Sequence, residues 1–156
     1  IWNLTNESIL ETLTGHLGPI RDLEILPDGQ LVSASADRTM KVWSLFKLNY
    51  TLTGHTNTIN SLKVLNRTYL ASASADRTIR IWNLNTRQTV LSLRNHTNSV
   101  NFLELLPNET LISASSDRMI YFWDWMNGSI LRSINNTFST FHAKFYNISS
   151  NSYLIT

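Results

Sequence analysis

Three sets of histidine, serine and aspartate recur along the sequence: His16, Ser33 and Asp37; His55, Ser72 and Asp76; His96, Ser113 and Asp117. These are the ingredients of nucleophilic hydrolysis, in which an imidazole activates a hydroxyl and a carboxylate orients the imidazole. Their spacing argues for another use. Each His lies 21 residues before its Asp, and each Asp lies six residues before a tryptophan, Trp43, Trp82 or Trp123. An active site needs one such set. Three sets at constant spacing, each with its own Trp, describe a structural element made three times, so no residue is assigned a catalytic role and the chain is read as a non-enzyme. The same histidines are poor metal ligands. They stand about 40 residues apart, whereas zinc ligands cluster at short spacing, so no metal site is expected. Only five glycines are present, none grouped, so no phosphate-cradling loop or other cofactor motif exists.

The elements that carry these residues repeat with them. SASADRT occurs at 33–39 and 72–78, and SASSDRM at 113–119, giving periods of 39 and 41 residues. Within a unit the apolar residues alternate over short runs: Ile20, Leu23 and Ile25, with an irregularity after Ile20; Leu31 and Val32; Met40, Val42 and Trp43. Turn residues separate the runs, as at Pro27-Asp28-Gly29, Asn66-Arg67, Pro107-Asn108 and Asn127-Gly128. Short β-branched and aromatic segments between such turns read as strands. No segment sustains a helical period, so essentially no helix is expected. Four strands fit in each unit; in the second they are predicted near 58–65, 69–74, 78–83 and 88–94.

Composition narrows the class further. The chain has 156 residues, 42% of them hydrophobic and 15% charged, with a formal charge of +2. Asn, Ser and Thr, at 17, 18 and 17, supply the missing polarity. That excludes a charged disordered tail and a coiled coil. There is no cysteine, hence no disulfide framework, thiolate metal site or cysteine nucleophile. No apolar run approaches the roughly 18 residues of a membrane-spanning helix. Nine Asn-X-Ser/Thr sequons occur, among them Asn49-Tyr50-Thr51 and Asn108-Glu109-Thr110. In a chain this rich in Asn, Ser and Thr they are expected to be unmodified.

Gly15-His16 with Asp37 through Trp43, Gly54-His55 with Asp76 through Trp82, and Asn95-His96 with Asp117 through Trp123 together resemble the WD-repeat β-propeller family. The third unit ends in Trp123-Asp124, the dipeptide that names the family; Trp43-Ser44 and Trp82-Asn83 depart from it. The resemblance implies an all-β fold of four-stranded antiparallel blades arranged radially around a channel. It implies that His16, Ser33, Asp37 and Trp43 form a buried hydrogen-bond network inside one blade. His55, Ser72, Asp76 and Trp82, and then His96, Ser113, Asp117 and Trp123, would do the same in the next two. It also implies a partner-binding face made by the loops before the first strand and between the second and third strands of each blade. On this sequence those positions are Pro19, Arg21, Ala36 and Arg38; Thr58, Asn60, Ala75 and Arg77; and Ser99, Asn101, Ser116 and Arg118.

The arginines are the sharpest functional signal. If each Asp pairs within its blade, Arg38, Arg77 and Arg118 are left uncompensated and, with Arg21, could form a basic arc. Arginine suits bidentate capture of carboxylate or phosphate, which points to acidic or phosphorylated protein or peptide ligands. The alternative is that they are solvated turn residues. A nucleic-acid-binding module would use the same arc but lacks stacking aromatics beside it. A third class is a regulatory or targeting arm of a larger enzyme. The expected function is a non-catalytic scaffold for protein–protein or peptide interactions, cytoplasmic or nuclear, without cofactor or membrane contact.

The ends are out of phase with the units. Trp2 lies 14 residues before His16, as Trp82 does before His96, so residues 1–14 read as the end of a preceding blade, with 7–13 its outer strand. Blades are expected at 15–53, 54–94 and 95–135. Residues 136–156 read as the start of an incomplete blade, with Thr137 where His would stand and Thr156 at the hydroxyl position. The expectation is a propeller arc of about three complete blades with partial blades at both ends, whose remaining blades belong to a longer chain; the alternatives are closure as four blades, with 7–13 completing a blade begun by 140–156, and self-association of open arcs.

Overall fold

The computed structural model describes residues 1–137, 144–148 and 151–155; Thr156, read above as a hydroxyl position, lies outside them. Among the described residues there are strands and no helix. A short hairpin, β1 (Trp2–Asn3) and β2 (Ser8–Ile9), leads into three four-stranded antiparallel sheets. The first blade comprises β3 (Ile20–Ile25), β4 (Leu31–Ser35), β5 (Thr39–Ser44) and β6 (Lys47–Thr53). The second comprises β7 (Ile59–Val64), β8 (Tyr69–Ser74), β9 (Ile79–Asn83) and β10 (Gln88–Leu93), each within one residue of the bounds its sequence predicts. The third comprises β11 (Val100–Leu105), β12 (Leu111–Ser115), β13 (Met119–Asp124) and β14 (Ser129–Asn135), and a hairpin of β15 (Lys144–Ile148) and β16 (Asn151–Ile155) follows. The sheets form an open arc of propeller blades.

The irregular apolar spacing of the first strands has a physical cause. The register shifts between Ile20 and Asp22, between Ile59 and Ser61, and between Val100 and Phe102. Each shift is a β-bulge in which Arg21, Asn60 or Asn101 is the extra residue of its strand, and it re-aims the strand. The bulge restores Leu23, Leu62 and Leu103 to the face that Ile20, Ile59 and Val100 occupy.

The core lies between blades rather than within them. Val32, Ala34, Met40, Val42 and Leu52 of the first blade pack against Ile59, Leu62, Leu70 and Trp82 of the second. Ala71, Ala73, Ile79, Ile81 and Leu93 of the second pack against Val100, Leu103, Leu111, Trp123 and Trp125 of the third. Small alanines opposite large aliphatics and tryptophans let the sheets approach closely. Leu62 and Leu103 are each 2% exposed, whereas Leu23, at the same position of the first blade, is 55% exposed. That uncovered face, with the β1–β2 hairpin, borders a groove of about 680 Å³ lined by Ile1, Ile9, Ile20, Leu23, Leu31 and Trp43, among others.

Polar ties join the innermost strands. The Leu62 N–H donates to Asp22 Oδ2 at 2.7 Å, and the Leu103 N–H to Ser61 Oγ at 3.3 Å. Lys63 Nζ stands 2.9 Å from Glu104 and 3.7 Å from Glu24, so one ammonium spans three blades. Burial lowers the tendency of Glu24 to ionise and lifts its pKa; the Lys63 charge offsets this only in part.

Candidate functional site

The three His–Ser–Asp–Trp sets converge, each inside its own blade. The Trp43 Nε1–H donates to Ser33 Oγ at 2.8 Å, His16 Nε2 lies 2.8 Å from the same hydroxyl, and His16 Nδ1 lies 2.7 Å from Asp37 Oδ2. Around Ser72 the matching distances, to Trp82, His55 and then Asp76, are all 2.7 Å. Around Ser113 they are 2.8, 2.7 and 2.8 Å, with Trp123, His96 and Asp117. One proton arrangement satisfies every member. Trp donates to Ser, Ser donates to a neutral His at Nε2, and the His Nδ1–H donates to Asp. The His side chains are 6%, 0% and 1% exposed.

Each Asp also organises the turn that follows it. Asp37 Oδ2 accepts the Leu17 N–H, while its Oδ1 accepts the Thr39 N–H and the Thr39 hydroxyl. Asp76 holds Thr56 and Thr78 in the same way. Asp117 holds the Thr97 and Met119 N–H groups, but Met119 has no hydroxyl to add. The sequence reading missed these threonines, and with them the second serine of each SAS motif. Ser35 Oγ bonds the Gly18 carbonyl and accepts the Asp37 N–H, and Ser74 and Ser115 act alike. The signal was present: the two serines sit two apart, on one face of the strand, and a threonine follows each of the first two Asp-Arg pairs.

These contacts set the acid response. Burial works against ionisation of all three aspartates. For Asp37 the Thr39 hydroxyl and the Leu17 N–H outweigh it; for Asp76 the His55 ring and the Thr78 hydroxyl do; for Asp117 the Met119 and Thr97 N–H groups do. All three are therefore held below the ordinary carboxylate range. Burial also lowers the His96 pKa, and Asp117 restores only part of it. Below the ordinary histidine value of 6.5 the unfolded His96 takes up a proton that the folded one resists. Below 3.8 the unfolded aspartates do the same. Both stabilising contributions are intact above these values and are lost as pH falls. Urea midpoints should fall steeply below pH 3.8, where the three aspartates act together; between 6.5 and that point the His96 loss is opposed by Glu24, whose raised pKa favours the folded state as pH falls. A midpoint that stays level as the pH is taken well below 3.8 would contradict this.

The network has a triad's connectivity without its access. Ser33, Ser72 and Ser113 are 3%, 0% and 0% exposed, and each hydroxyl already accepts an indole N–H. Ser72 and Ser113 therefore offer no approach to an acyl group, while Ser33, with His16 and Trp43, lies at the wall of the groove beside the β1–β2 hairpin, its hydroxyl held by the indole N–H. The geometry holds strands and turns together inside each blade.

The loop-face positions divide into two kinds. Ala36, Ala75 and Ser116 are half-buried, and Thr58 and Ser99 lie against the turns, their carbonyls accepting the Ala75 and Ser116 N–H groups. Pro19 plays the same part for Ala36. Asn60 and Asn101 are largely engaged by neighbours. Asn60 Nδ2 donates to Ser99 Oγ and the Val100 carbonyl; Ser99 Oγ donates to Asn101 Oδ1; Asn101 Nδ2 donates to Ser116 Oγ. Arg21, Arg38, Arg77 and Arg118 are exposed. Among the described residues the side chains of Arg38, Arg77 and Arg118 make no hydrogen bond, ion pair or ring contact. Their backbones are left-handed, with φ of 71°, 72° and 69°. Each N–H closes the turn onto Ser35, Ser74 or Ser115.

Comparison with known proteins agrees with this architecture. Residues 7–44, 46–83 and 87–124 each match the family described as WD domain, G-beta repeat. Over 47 residues the chain is 45% identical to the Periodic tryptophan protein 2 homolog of Neurospora crassa, covering 30% of this chain and 5% of that protein. It is also 45% identical over 47 residues to WD repeat and SOCS box-containing protein 1 of Mus musculus, covering 29% and 11%. The crystal structure of the WD40 beta propeller domain of Doa1 superposes with a TM-score of 0.81 at 26% identity, over 85% of this chain and 46% of that one. The matched parts span less than half of each relative's own length. With three repeat matches covering most of its length, the chain belongs to the WD domain, G-beta repeat family.

Proposed function

We propose that this chain is a non-catalytic interaction scaffold whose partner surface is the loop face bearing Arg38, Arg77 and Arg118, with Arg21 beside it. WD-repeat propeller domains generally mediate protein interactions and are generally not catalytic. The observation that carries the assignment is the contrast within each Asp–Arg pair. The aspartates are engaged inward, while the three arginines stand at one register, exposed and, among the described residues, with no side-chain bond. Such guanidiniums can offer paired N–H donors to carboxylates or phosphates. The ligand is an acidic or phosphorylated peptide, and the units that present the arginines are residues 15–53, 54–94 and 95–135.

The test is an array of acidic and phosphorylated peptides probed with the purified chain and with an Arg38→Glu, Arg77→Glu, Arg118→Glu variant. The variant should lose at least tenfold in affinity for the tightest peptides at low salt, with its melting temperature retained. Equal binding by both proteins would defeat the assignment. Preference for oligonucleotides over peptides, with a steep salt dependence, would point instead to a nucleic-acid module.

A further inference from the structure

A second basic cleft lies at the opposite end of the sheets, between the first and second blades. It encloses about 280 Å³ and is walled by the β3–β4 turn, β6, and the β7–β8 and β9–β10 turns. Arg67 and Arg87 both line it, together with Tyr50, Asn85 and Asp28.

Arg87 sits where its backbone does not favour it. Its φ is 59°, and the equivalent residue of the third blade, immediately before β14, is Gly128 with φ of 80°. At Gly128 a Cβ would lie 3.1 Å from Leu91 Cδ2, so a side chain there would need the leucine to give way by a few tenths of an ångström as well as a left-handed backbone. In the first blade the counterpart of Leu91 is Tyr50, paired with Val42 as Leu91 is paired with Ile81. The Arg87 guanidinium carbon stacks 4.2 Å from the centre of the Tyr50 ring. A left-handed arginine held over an aromatic face is a strained, pre-oriented donor.

The hydrogen-bond inventory of the cleft is lopsided. Its carboxylate and one of its amide oxygens are engaged: Asp28 receives the Gln30 N–H at 3.1 Å and the Gln30 amide at 2.6 Å, and Gln30 Oε1 receives Asn49 Nδ2 at 2.9 Å. Its donors are free. Among the described residues the side chains of Arg67 and Asn85, the guanidinium N–H groups of Arg87 and the Tyr50 hydroxyl have no hydrogen-bond partner. Burial raises the Tyr50 pKa and outweighs the nearby Arg87, so the phenol stays a donor. Two guanidiniums against one carboxylate leave the cleft net positive. The chemistry complementary to this lining is an acceptor-rich anion. The volume is below the roughly 300–1,000 Å³ of drug-sized pockets, so one functional group fits better than a whole cofactor.

We propose that this cleft binds the phosphate group of a ligand, with Arg67 and Arg87 pairing its oxygens and Tyr50 and Asn85 donating to them. The experiment is an amide NMR titration of the purified chain with inorganic phosphate and, separately, with O-phosphoserine, at constant ionic strength. Saturable shifts are expected at Tyr50 and across 84–87. Arg87→Gly should weaken binding at least tenfold without lowering the melting temperature, because Gly128 shows that glycine suits this turn. Arg67→Gln should weaken it by a similar factor. Tighter binding of O-phosphoserine supports a phosphorylated residue as the source, and equal binding supports free phosphate. In the glutamate variant at positions 38, 77 and 118 the shifts at Tyr50 and across 84–87 should saturate at the parent's concentrations, whatever changes at the loops, which separates this cleft from the loop face. Shifts confined to those loops, or affinities untouched by both Arg87→Gly and Arg67→Gln, would overturn the proposal.

Discussion

Asp76→Ala is expected to destabilise the chain by about 3–5 kcal/mol, the range for breaking a buried polar network. The substitution removes the acceptor for four donors at once: the His55 ring, the Thr56 N–H, the Thr78 N–H and the Thr78 hydroxyl. A buried donor left unpaired costs roughly 1–3 kcal/mol, and the partly open edge of the turn lets water serve some of them. The loss spreads through His55, whose orientation fixes Ser72 and thereby the Trp82 indole. Equilibrium urea unfolding, with tryptophan fluorescence as the probe, measures it. Asp117→Ala should cost less, because Met119 supplies no hydroxyl and three donors are lost instead of four. An Asp76→Ala protein with the parent's midpoint would show that the network is not holding the second blade together.

The second large effect separates packing between blades from packing within them. Leu62→Ala should cost about 2–5 kcal/mol, the usual range for removing a buried leucine. Leu62 is 2% exposed and lies in the cluster that joins the first two blades. Leu23→Ala, the same substitution at the same repeat position, should change stability by less than about 0.5 kcal/mol, as surface changes do. Thermal unfolding of the two variants side by side decides it. Equal losses would mean that these leucines act through their own sheets and that the face-to-face contacts contribute little.

Much of this architecture was legible in the residues. The strands of the second blade follow from alternation and from turn residues, and the Asp–Trp and His–Asp spacings mark equivalent positions in each sheet. What escaped reading has identifiable causes. The bulge after Ile20 registered only as a break in alternation, because a single strand does not reveal that one partner residue faces two. Which polar side chains are free could not be read either. Asn60 looks like available surface until the next blade brings Ser99 and Val100 against it, and Ser99 until Asn101 of its own strand takes up its hydroxyl. Thr39 and Thr78 look like ordinary strand residues, yet their hydroxyls complete the coordination of Asp37 and Asp76. The left-handed backbone at Arg38, Arg77 and Arg118 gives no sign in sequence, since most turns that need it advertise themselves with glycine or asparagine. The bulges and the contacts of Asn60 depend on a neighbour far along the chain, whereas the threonine hydroxyls and the left-handed arginines are set by the local turn geometry.

The tie from Asp22 to the Leu62 N–H, repeated from Ser61 to the Leu103 N–H, gives the arc a polarity. One side of each joint contributes a side-chain acceptor and the other a main-chain donor, so the joint is heterologous. Head must meet tail. Two copies of one blade face related by a twofold axis would set acceptor against acceptor and leave both donors facing outward. At the third blade the forward-reaching position is Phe102, which has no polar atom to extend the series. The joint between a side-chain acceptor and a main-chain N–H is therefore not repeated from the Phe102 side chain.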